Sequence, residues 1–488
     1  MSTLREAVGS VRTKIVATVG PASRSPEIFR ELIHAGVDVA RLNFSHGTHA
    51  DHSETLAMVR RIAAELGRPL AVLQDLGGPK IRLGEIPGGE VDCGLGERFR
   101  LVVERSTDDP RELTSTHPEL PSDLSAGDVA LFADGAVEMK VERADERAAD
   151  LVVTLAGRLR SRQGINLPGA LSRIPSLTEK DLRDLDWTRD NEVDYVGLSF
   201  VRTPEDVVKL RSELASRGIR ARIIAKIEKP QAVENIEGIV AVSDAIMVAR
   251  GDLGVEMDVA LVPAIQKRVI DTCRRARVPV ITATQMLNSM EDSSRPTRAE
   301  STDVFNAVLD GSDAVMLSGE TAVGRYPIEA VSTMSRIVRR AESFLLEEDH
   351  DLVARSEREE WHNSGWIQPV TEGIVEAASL ASRRLDAALT VVATNSGRTA
   401  LAVSKHRHPT PTLALTDDPV VERVMNLYWG VTPLLVGSLC DTTQNLLELA
   451  VAWARARDLV RSGDRLIYLR GTIPGNAVHN AMVIHVVE

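Results

Sequence analysis

The chain of 488 residues has few cysteines, few aromatic side chains, no excess of positive charge and no long apolar run. Its three cysteines, Cys93, Cys273 and Cys440, lie far apart, which excludes a disulfide framework and a Cys-x-x-Cys metal site and points to a reducing compartment. A formal charge of −12 argues against a nucleic-acid partner. An anionic substrate would have to be held by locally clustered cations. No stretch approaches the ~18 uncharged apolar residues of a membrane span. The first eleven residues have no apolar core of a signal peptide. The expectation is a cytoplasmic protein with no membrane and no targeting segment. At 43% hydrophobic and 26% charged residues the composition is globular, and the length exceeds what one core serves, so two to four domains are expected.

What is present is organised around two apolar runs. Ala221-Arg-Ile-Ile-Ala-Lys-Ile-Glu-Lys229 alternates at its end so that Lys226 and Glu228 share one side of a strand. Ala245-Ile-Met-Val-Ala-Arg-Gly-Asp-Leu-Gly254 breaks into Arg250-Gly251-Asp252, where a helix should begin. Core strands ending in charge imply that their ends open on a site. A Lys, a Glu and an Asp delivered together suggest Mg²⁺-assisted chemistry on an anion.

In chain order, strands are expected at 14–19, 37–42, 69–75, 194–200, 222–226, 245–249, 279–282 and 313–317. Helices are expected at 26–36, 48–66, 177–187, 204–217, 231–241, 260–276, 299–310 and 327–346. Between the third and fourth strands the composition turns to glycine, valine and short alternating runs, the pattern of a small all-β barrel or sandwich. About eight β/α units with polar strand ends read as α/β, a (β/α)₈ TIM barrel. An open doubly wound sheet is the alternative, and it would need a topological switch point. The expected division is a barrel over 1–77 and 158–345, an inserted β lid over 78–157, and a C-terminal α/β domain over 346–488. The charge-rich stretch 345–363 reads as a solvated linker, and His406-Arg-His408, with no third ligand, as a solvated loop.

Seven motifs then carry a resemblance. Lys14-Ile-Val-Ala-Thr-Val-Gly-Pro21, Arg41-Leu-Asn-Phe-Ser-His-Gly47, Ile224-Ala-Lys-Ile-Glu228, Val248-Ala-Arg-Gly-Asp-Leu-Gly-Val-Glu256, Ala283-Thr-Gln-Met-Leu287, Arg295-Pro-Thr-Arg-Ala-Glu300 and Met316-Leu-Ser-Gly-Glu-Thr-Ala322 resemble pyruvate kinase, in register from about residue 12 to the C-terminus. The resemblance implies phosphoryl transfer from phosphoenolpyruvate to ADP, giving pyruvate and ATP. It also implies a homotetramer and Mg²⁺ (or Mn²⁺) held by Glu228 and Asp252. By resemblance, Lys226 stabilises the transferring phosphoryl group, Arg41 binds the substrate phosphate, and the amides of Gly251 and Asp252 bind the substrate carboxylate. Thr284 would stand beside the enolate carbon and relay a proton through water. Asn43, Ser45, His46 and Arg82 would lie near the nucleotide phosphates. On residues alone, His46 also reads as a loop histidine and Thr284 as a helix N-cap.

Two departures from the family pattern stand out. Many members have a glutamate after the Gly-Pro that follows strand three, and bind K⁺ near positions matching Asn43, Ser45, Asp75 and the Leu76 carbonyl. Here the segment is Asp75-Leu-Gly-Gly-Pro-Lys-Ile-Arg82, so Lys80 changes the local charge by two units and K⁺ should not be required. Where a lysine usually precedes Gly164, this chain has Gln163; Arg162 could supply that nucleotide contact. In the C-terminal part, Val391-Val-Ala-Thr-Asn-Ser-Gly-Arg-Thr399 places Thr394, Asn395, Ser396, Gly397, Arg398 and Thr399 at a strand-to-helix turn suited to a phosphate. It resembles the family's effector loop. The facing loop 471–480 lacks the Trp and Arg of members responding to fructose 1,6-bisphosphate, so a different phosphorylated activator is expected.

Overall fold

Eight short apolar runs become the eight parallel strands of a closed barrel. They are β1 (Lys14–Thr18), β2 (Val39–Asn43), β3 (Ala71–Asp75), β4 (Tyr195–Leu198), β5 (Arg222–Ile227), β6 (Ala245–Ala249), β7 (Val280–Ala283) and β8 (Ala314–Leu317). Each pairs with its neighbours in sequence, and β1 closes the ring on β8, with Lys14 opposite Ala314. The structure, a computed structural model, describes residues 11–133, 135–168, 175–347, 367–439, 442–471 and 478–488. Most of the charge-rich stretch 345–363, Cys440 and loop residues 472–477 lie outside them.

Strand periodicity sorts the barrel into two cores. Val16, Leu73, Ile224, Met247, Ile281 and Met316 fill the interior, whereas Ile15, Val72, Ile223, Ile246, Val280 and Val315 pack outward on the helices. The outer helices are bounded by local signals. Ser25 caps Pro26–Ala35 by accepting from the Ile28 amide, and Thr48 forms a reciprocal capping box with Asp51. The helix expected over 231–241 is instead two, Pro230–Glu234 and Ile236–Val242, because Asn235 leaves helical geometry between them (φ −96°, ψ 16°).

Between β3 and β4 stands a β domain with its own core, built on Phe99, Leu101, Phe132, Met139 and Leu151. A six-stranded and a two-stranded sheet enclose it, and pairing runs on to Ile165–Asn166. The C-terminal domain carries β9 (Leu389–Ala393), β10 (Thr412–Thr416), β11 (Val431–Leu435), β12 (Arg465–Arg470) and β13 (Ala481–Val486) in the order β11-β10-β9-β12-β13. Only β13 is antiparallel.

This domain closes the N-terminal end of the barrel. Val424, Met425 and Tyr428 join the barrel's interior cluster, and the Tyr195 hydroxyl donates to the Val424 carbonyl at 2.8 Å. The expectation of a solvated loop at 406–408 is overturned at this junction. Lys405 and Arg407 both pair with the fully buried Asp313, at 2.6 and 2.9 Å, and Arg407 stacks over Trp429. His408 is buried, which pushes its imidazole pKa down to about 4. The polar spelling of this loop reflects buried pairing across a domain boundary rather than exposure.

Candidate active site

At the opposite, C-terminal end of the barrel a chain of four charges runs across three strands. Arg41, the middle residue of β2, donates from Nε and Nη2 to one Asp75 oxygen at 2.7 and 2.6 Å. Asp75 ends β3 and is fully buried. Its other oxygen lies 3.3 Å from Lys226 Nζ, and Lys226 Nζ is 2.8 Å from Glu228 Oε1. Burial alone would lower the Lys226 pKa, but Asp75 and Glu228 outweigh it and hold the ammonium firmly protonated. Burial would raise the Asp75 carboxyl, but Lys226 and Arg41 bring it below the usual range. For Glu228 burial prevails, aided by the negative charge of Asp252 and opposed by Lys226, and its pKa moves up.

Two residues overlooked in the sequence complete this cluster. Ser199 Oγ accepts from Lys226 Nζ at 2.8 Å and donates to the Leu76 carbonyl at 2.7 Å. The amide of Phe200, held at φ +57°, donates to Glu228 Oε2 at 2.8 Å. Both follow β4, whose end carries no charged residue, so alternation of charge gave no signal for them.

Thr284 is not the N-cap of a helix that follows it; its hydroxyl reaches the first turn of the helix Arg250–Glu256. Thr284 and Gln285 sit in the left-handed region (φ +65° and +54°), a costly conformation for side-chain-bearing residues that is found where surrounding structure enforces it. Arg250 does the enforcing. It pairs with Asp303 at 2.6 Å and donates to the Thr284 carbonyl at 2.9 Å. The Thr284 hydroxyl accepts from the Gly251 amide at 2.7 Å. A Cβ at Gly251 would stand 3.3 Å from that hydroxyl, a tight contact that a larger residue would relieve only by shifting it. Asp252, one residue on and half-buried, has no ion pair with any described residue.

The remaining anion-facing candidates gather beside Arg41. The Asn43 side chain accepts from the Ser45 amide at 3.1 Å. His46 has its pKa lowered, first by burial and then by Arg82, Lys80 and Arg41, so a neutral imidazole sits in a field of three cations. Lys80 is exposed and makes no ion pair among the described residues; the partners of Asp75 are Arg41 and Lys226. Gln163 folds back, accepting from the Arg160 amide, while Arg162 pairs with Glu85.

Next to His46 lies a cavity of about 270 Å³ that sequence reading passed over. Phe44 stacks on His52 at 4.0 Å, Trp187 meets Phe44 edge-on, and Lys180 donates to the Phe44 carbonyl at 2.7 Å. His49 and Lys180 both reach Asp184, each at 2.7 Å. The spacing of Lys180 and Asp184, one helical turn apart, was the available clue.

In the C-terminal domain, Gly397 (φ +76°) opens the helix Arg398–Lys405. The Thr394 hydroxyl accepts from the Gly397 amide at 3.1 Å, and the Ser396 hydroxyl from the Arg398 amide at 3.4 Å. Thr399 bonds His479 at 3.0 Å. Asn395 is exposed at the turn.

A closed parallel barrel with a β domain inserted above its strand ends, and ionic side chains at those ends, defines a (β/α)₈ enzyme. Family models describe the rest. Residues 10–331 match the pyruvate kinase barrel domain and residues 372–485 the pyruvate kinase alpha/beta domain. The chain is 43% identical over 475 residues to pyruvate kinase 2 of Synechocystis, covering 96% of this chain and 77% of that one. It is 41% identical to the pyruvate kinase of Mycobacterium intracellulare, covering 98% of each. A crystal structure of a pyruvate kinase from Cryptosporidium parvum superposes with a TM-score of 0.91 at 35% identity, over 100% of this chain and 98% of that one. The chain belongs to the pyruvate kinase family, and it is a phosphotransferase.

Proposed function

We propose that the Arg41–Asp75–Lys226–Glu228 chain is the centre at which phosphoenolpyruvate gives its phosphoryl group to ADP. The observation that carries this reading is the protonated Lys226 held at the barrel's C-terminal end between two buried carboxylates. Transfer gathers the charges of a phosphate, a carboxylate and a nucleotide in one place, so positioning and neutralisation are the main tasks. Lys226 and Arg41 bind the transferring phosphoryl group. The Asp252 amide and the turn at Gly251 receive the substrate carboxylate. When the P–O bond to the enol oxygen breaks and a new one forms to the ADP β-phosphate, the enolate takes a proton at its methylene carbon. Thr284, pinned by Arg250, orders the water that delivers it.

The carboxylates of Glu228 and Asp252 fit a hard divalent cation. Their mutual repulsion, the raised Glu228 and the lack of an ion-pair partner for Asp252 among the described residues leave negative charge for Mg²⁺ or Mn²⁺ to neutralise. Bound there, the cation would supply further charge stabilisation to the phosphoryl oxygens. On the nucleotide side, Asn43, Ser45, His46 and Arg82 approach the phosphates, and the Phe44–His52 stack offers the base an aromatic surface.

Four further readings accompany this one. K⁺ is dispensable, because Lys80 places a cation in the field around His46 and because Arg41 and Lys226 neutralise Asp75. A phosphorylated activator binds at the Thr394–Thr399 turn. Exposed apolar side chains on the barrel (Val259, Leu261, Phe344) and on the edge strand β13 (Ile484, Val486) support a homotetramer. The enzyme works in the cytoplasm, as the unpaired thiols of Cys93 and Cys273 and the lack of a membrane-spanning helix among the described residues allow. A lactate-dehydrogenase-coupled assay with phosphoenolpyruvate and ADP tests the central reading; pyruvate formation dependent on ADP and on divalent cation is expected, and its absence would overturn it.

A further inference from the structure

Beside the ionic chain lies a second buried pair that the transfer chemistry leaves unused. Lys229, which follows Glu228 after β5, places its ammonium 2.6 Å from Glu256 Oε1, and both side chains are buried. Glu256 ends the helix Arg250–Glu256, whose first turn contains Gly251 and Asp252. The pair therefore ties the end of β5, with Lys226 and Glu228, to the helix that presents Asp252.

Both members also meet the stalk on which the inserted β domain stands. Two segments cross between the barrel and that domain, one leaving over 77–82 and one returning over 164–167. They pair with each other: the Ile165 amide donates to the Ile81 carbonyl at 2.9 Å, and Arg82 bridges to Gly164. On the returning segment, the buried Asn166 donates from Nδ2 to Glu256 Oε1 at 3.2 Å. On the leaving one, Gly78 lies so close to Phe200 that a Cβ there would stand 2.8 Å from the ring. The Lys229 ammonium lies 5.3 Å from the centre of that same ring, within cation–π range. One side chain thus reaches both crossings, the first through Phe200 and the second through Glu256.

The energetics of this arrangement favour placement over stability. A buried ion pair costs desolvation that its attraction barely returns, and apolar side chains of similar volume often hold a fold as well. Glu256 is also incompletely satisfied. Lys229 and Asn166 share Oε1, while Oε2 is buried without a hydrogen-bond partner among the described residues. What the pair supplies is fixed geometry. Arg82, on the nucleotide side, stands on the stalk and bridges to Gly164, two residues before Asn166. A path of contacts therefore runs from β5, beside the phosphoryl donor, to the arginine that faces the acceptor. Transfer needs those two halves aligned, and a misplacement of about 1 Å can cost about a hundredfold in rate.

We infer that Lys229 is a positioning residue for the phosphoryl transfer: through Glu256 and Asn166 it sets how the inserted β domain stands over the barrel, and so the separation of Lys226 from Arg82. The inference rests on the roles given to those two residues above. Without the pair the stalk rocks, and donor and acceptor are aligned for a smaller fraction of the time. Turnover then falls, while phosphoenolpyruvate, held on the barrel by Arg41 and the Gly251 turn, binds nearly as before.

Two variants of the full-length protein test this. K229M/E256M removes both charges together, so no lone charge is left buried, and N166A cuts only the contact to the β domain. One readout is steady-state kinetics with phosphoenolpyruvate and ADP. The other is amide hydrogen exchange of the ligand-free protein, followed by mass spectrometry over 78–82 and 164–167. Both variants should lose roughly tenfold or more in kcat, with the KM for phosphoenolpyruvate within about threefold of wild type. Exchange at both crossings should quicken by roughly tenfold. Wild-type kcat, or unchanged exchange, in either variant overturns the inference and leaves the pair a structural brace. Should K229M/E256M fail to fold, N166A decides by the same two readouts. If the wild type itself transfers no phosphoryl group, the functional reading falls, and exchange alone decides whether Lys229 holds the crossings.

Discussion

Replacing Lys226 by methionine removes the ammonium from the centre of the ionic chain while keeping an unbranched side chain of similar length. The missing charge would have faced the transferring phosphoryl group at about 4 Å, where one charge pair at an effective dielectric near 20 is worth about 4 kcal/mol. Turnover should fall by about a thousandfold. Three groups lose a partner: Glu228 and Ser199, each at 2.8 Å, and Asp75, at 3.3 Å. Asp75 keeps Arg41 and Glu228 keeps the Phe200 amide, so the stability loss should stay at or below the about 3–5 kcal/mol of a fully broken buried pair. Glu228 and Asp252, the carboxylates proposed to hold the cation, both remain, so Mn²⁺ affinity, followed by the paramagnetic relaxation of water, should be retained. Coupled-assay turnover and guanidinium unfolding measure the other two quantities. A Lys226→Met enzyme working within about tenfold of wild type would refute the placement of Lys226 at the reacting phosphate.

Asp75→Asn leaves Arg41 and Lys226 without their shared counter-charge and should destabilise the fold by about 3–5 kcal/mol in guanidinium unfolding; a change within experimental scatter would contradict the ionic chain. His408 is neutral in the fold because burial depresses its pKa to about 4, whereas the unfolded imidazole takes a proton near 6.5. Stability should therefore rise with pH across that window, by about 3 kcal/mol from this residue. His408→Leu should flatten that limb in denaturation curves, and an unchanged limb would contradict the buried placement. Exchanging potassium for tetramethylammonium salts should leave wild-type activity nearly unchanged, and a large K⁺ stimulation would count against the role given to Lys80. Arg250→Met should release the Thr284–Gln285 turn and lower kcat more than it raises the KM for phosphoenolpyruvate; an unaltered kcat would show that the turn holds itself.

The barrel was legible because each of its strands is a short apolar run ending in polar residues, and because every interior position, such as Ile224 or Met247, is flanked by outward-packing neighbours at a period of two. The β domain was legible as a change of rhythm, from long helical spacing to turns every ten residues or so. Local pattern could not show what depends on distant chain. Ser199 and Phe200 reach Lys226 and Glu228 from another strand end, and no residue beside them in sequence marks the contact. The left-handed Thr284 is held by Arg250, thirty-four residues away, so the conformation that aims its hydroxyl is not written in its neighbours. Arg407 and His408 look solvated because they are polar, yet they are paired or buried where two domains meet. Asn235 interrupts a helix whose apolar spacing runs through it.

The most direct measurement is phosphorus NMR of phosphoenolpyruvate and ADP incubated with the wild-type chain and Mg²⁺. The account predicts that the phosphoenolpyruvate resonance is replaced by the three resonances of ATP, and that chelating the cation halts the exchange. A resonance of free phosphate in place of ATP, or an unchanged spectrum with Mg²⁺ present, would contradict it.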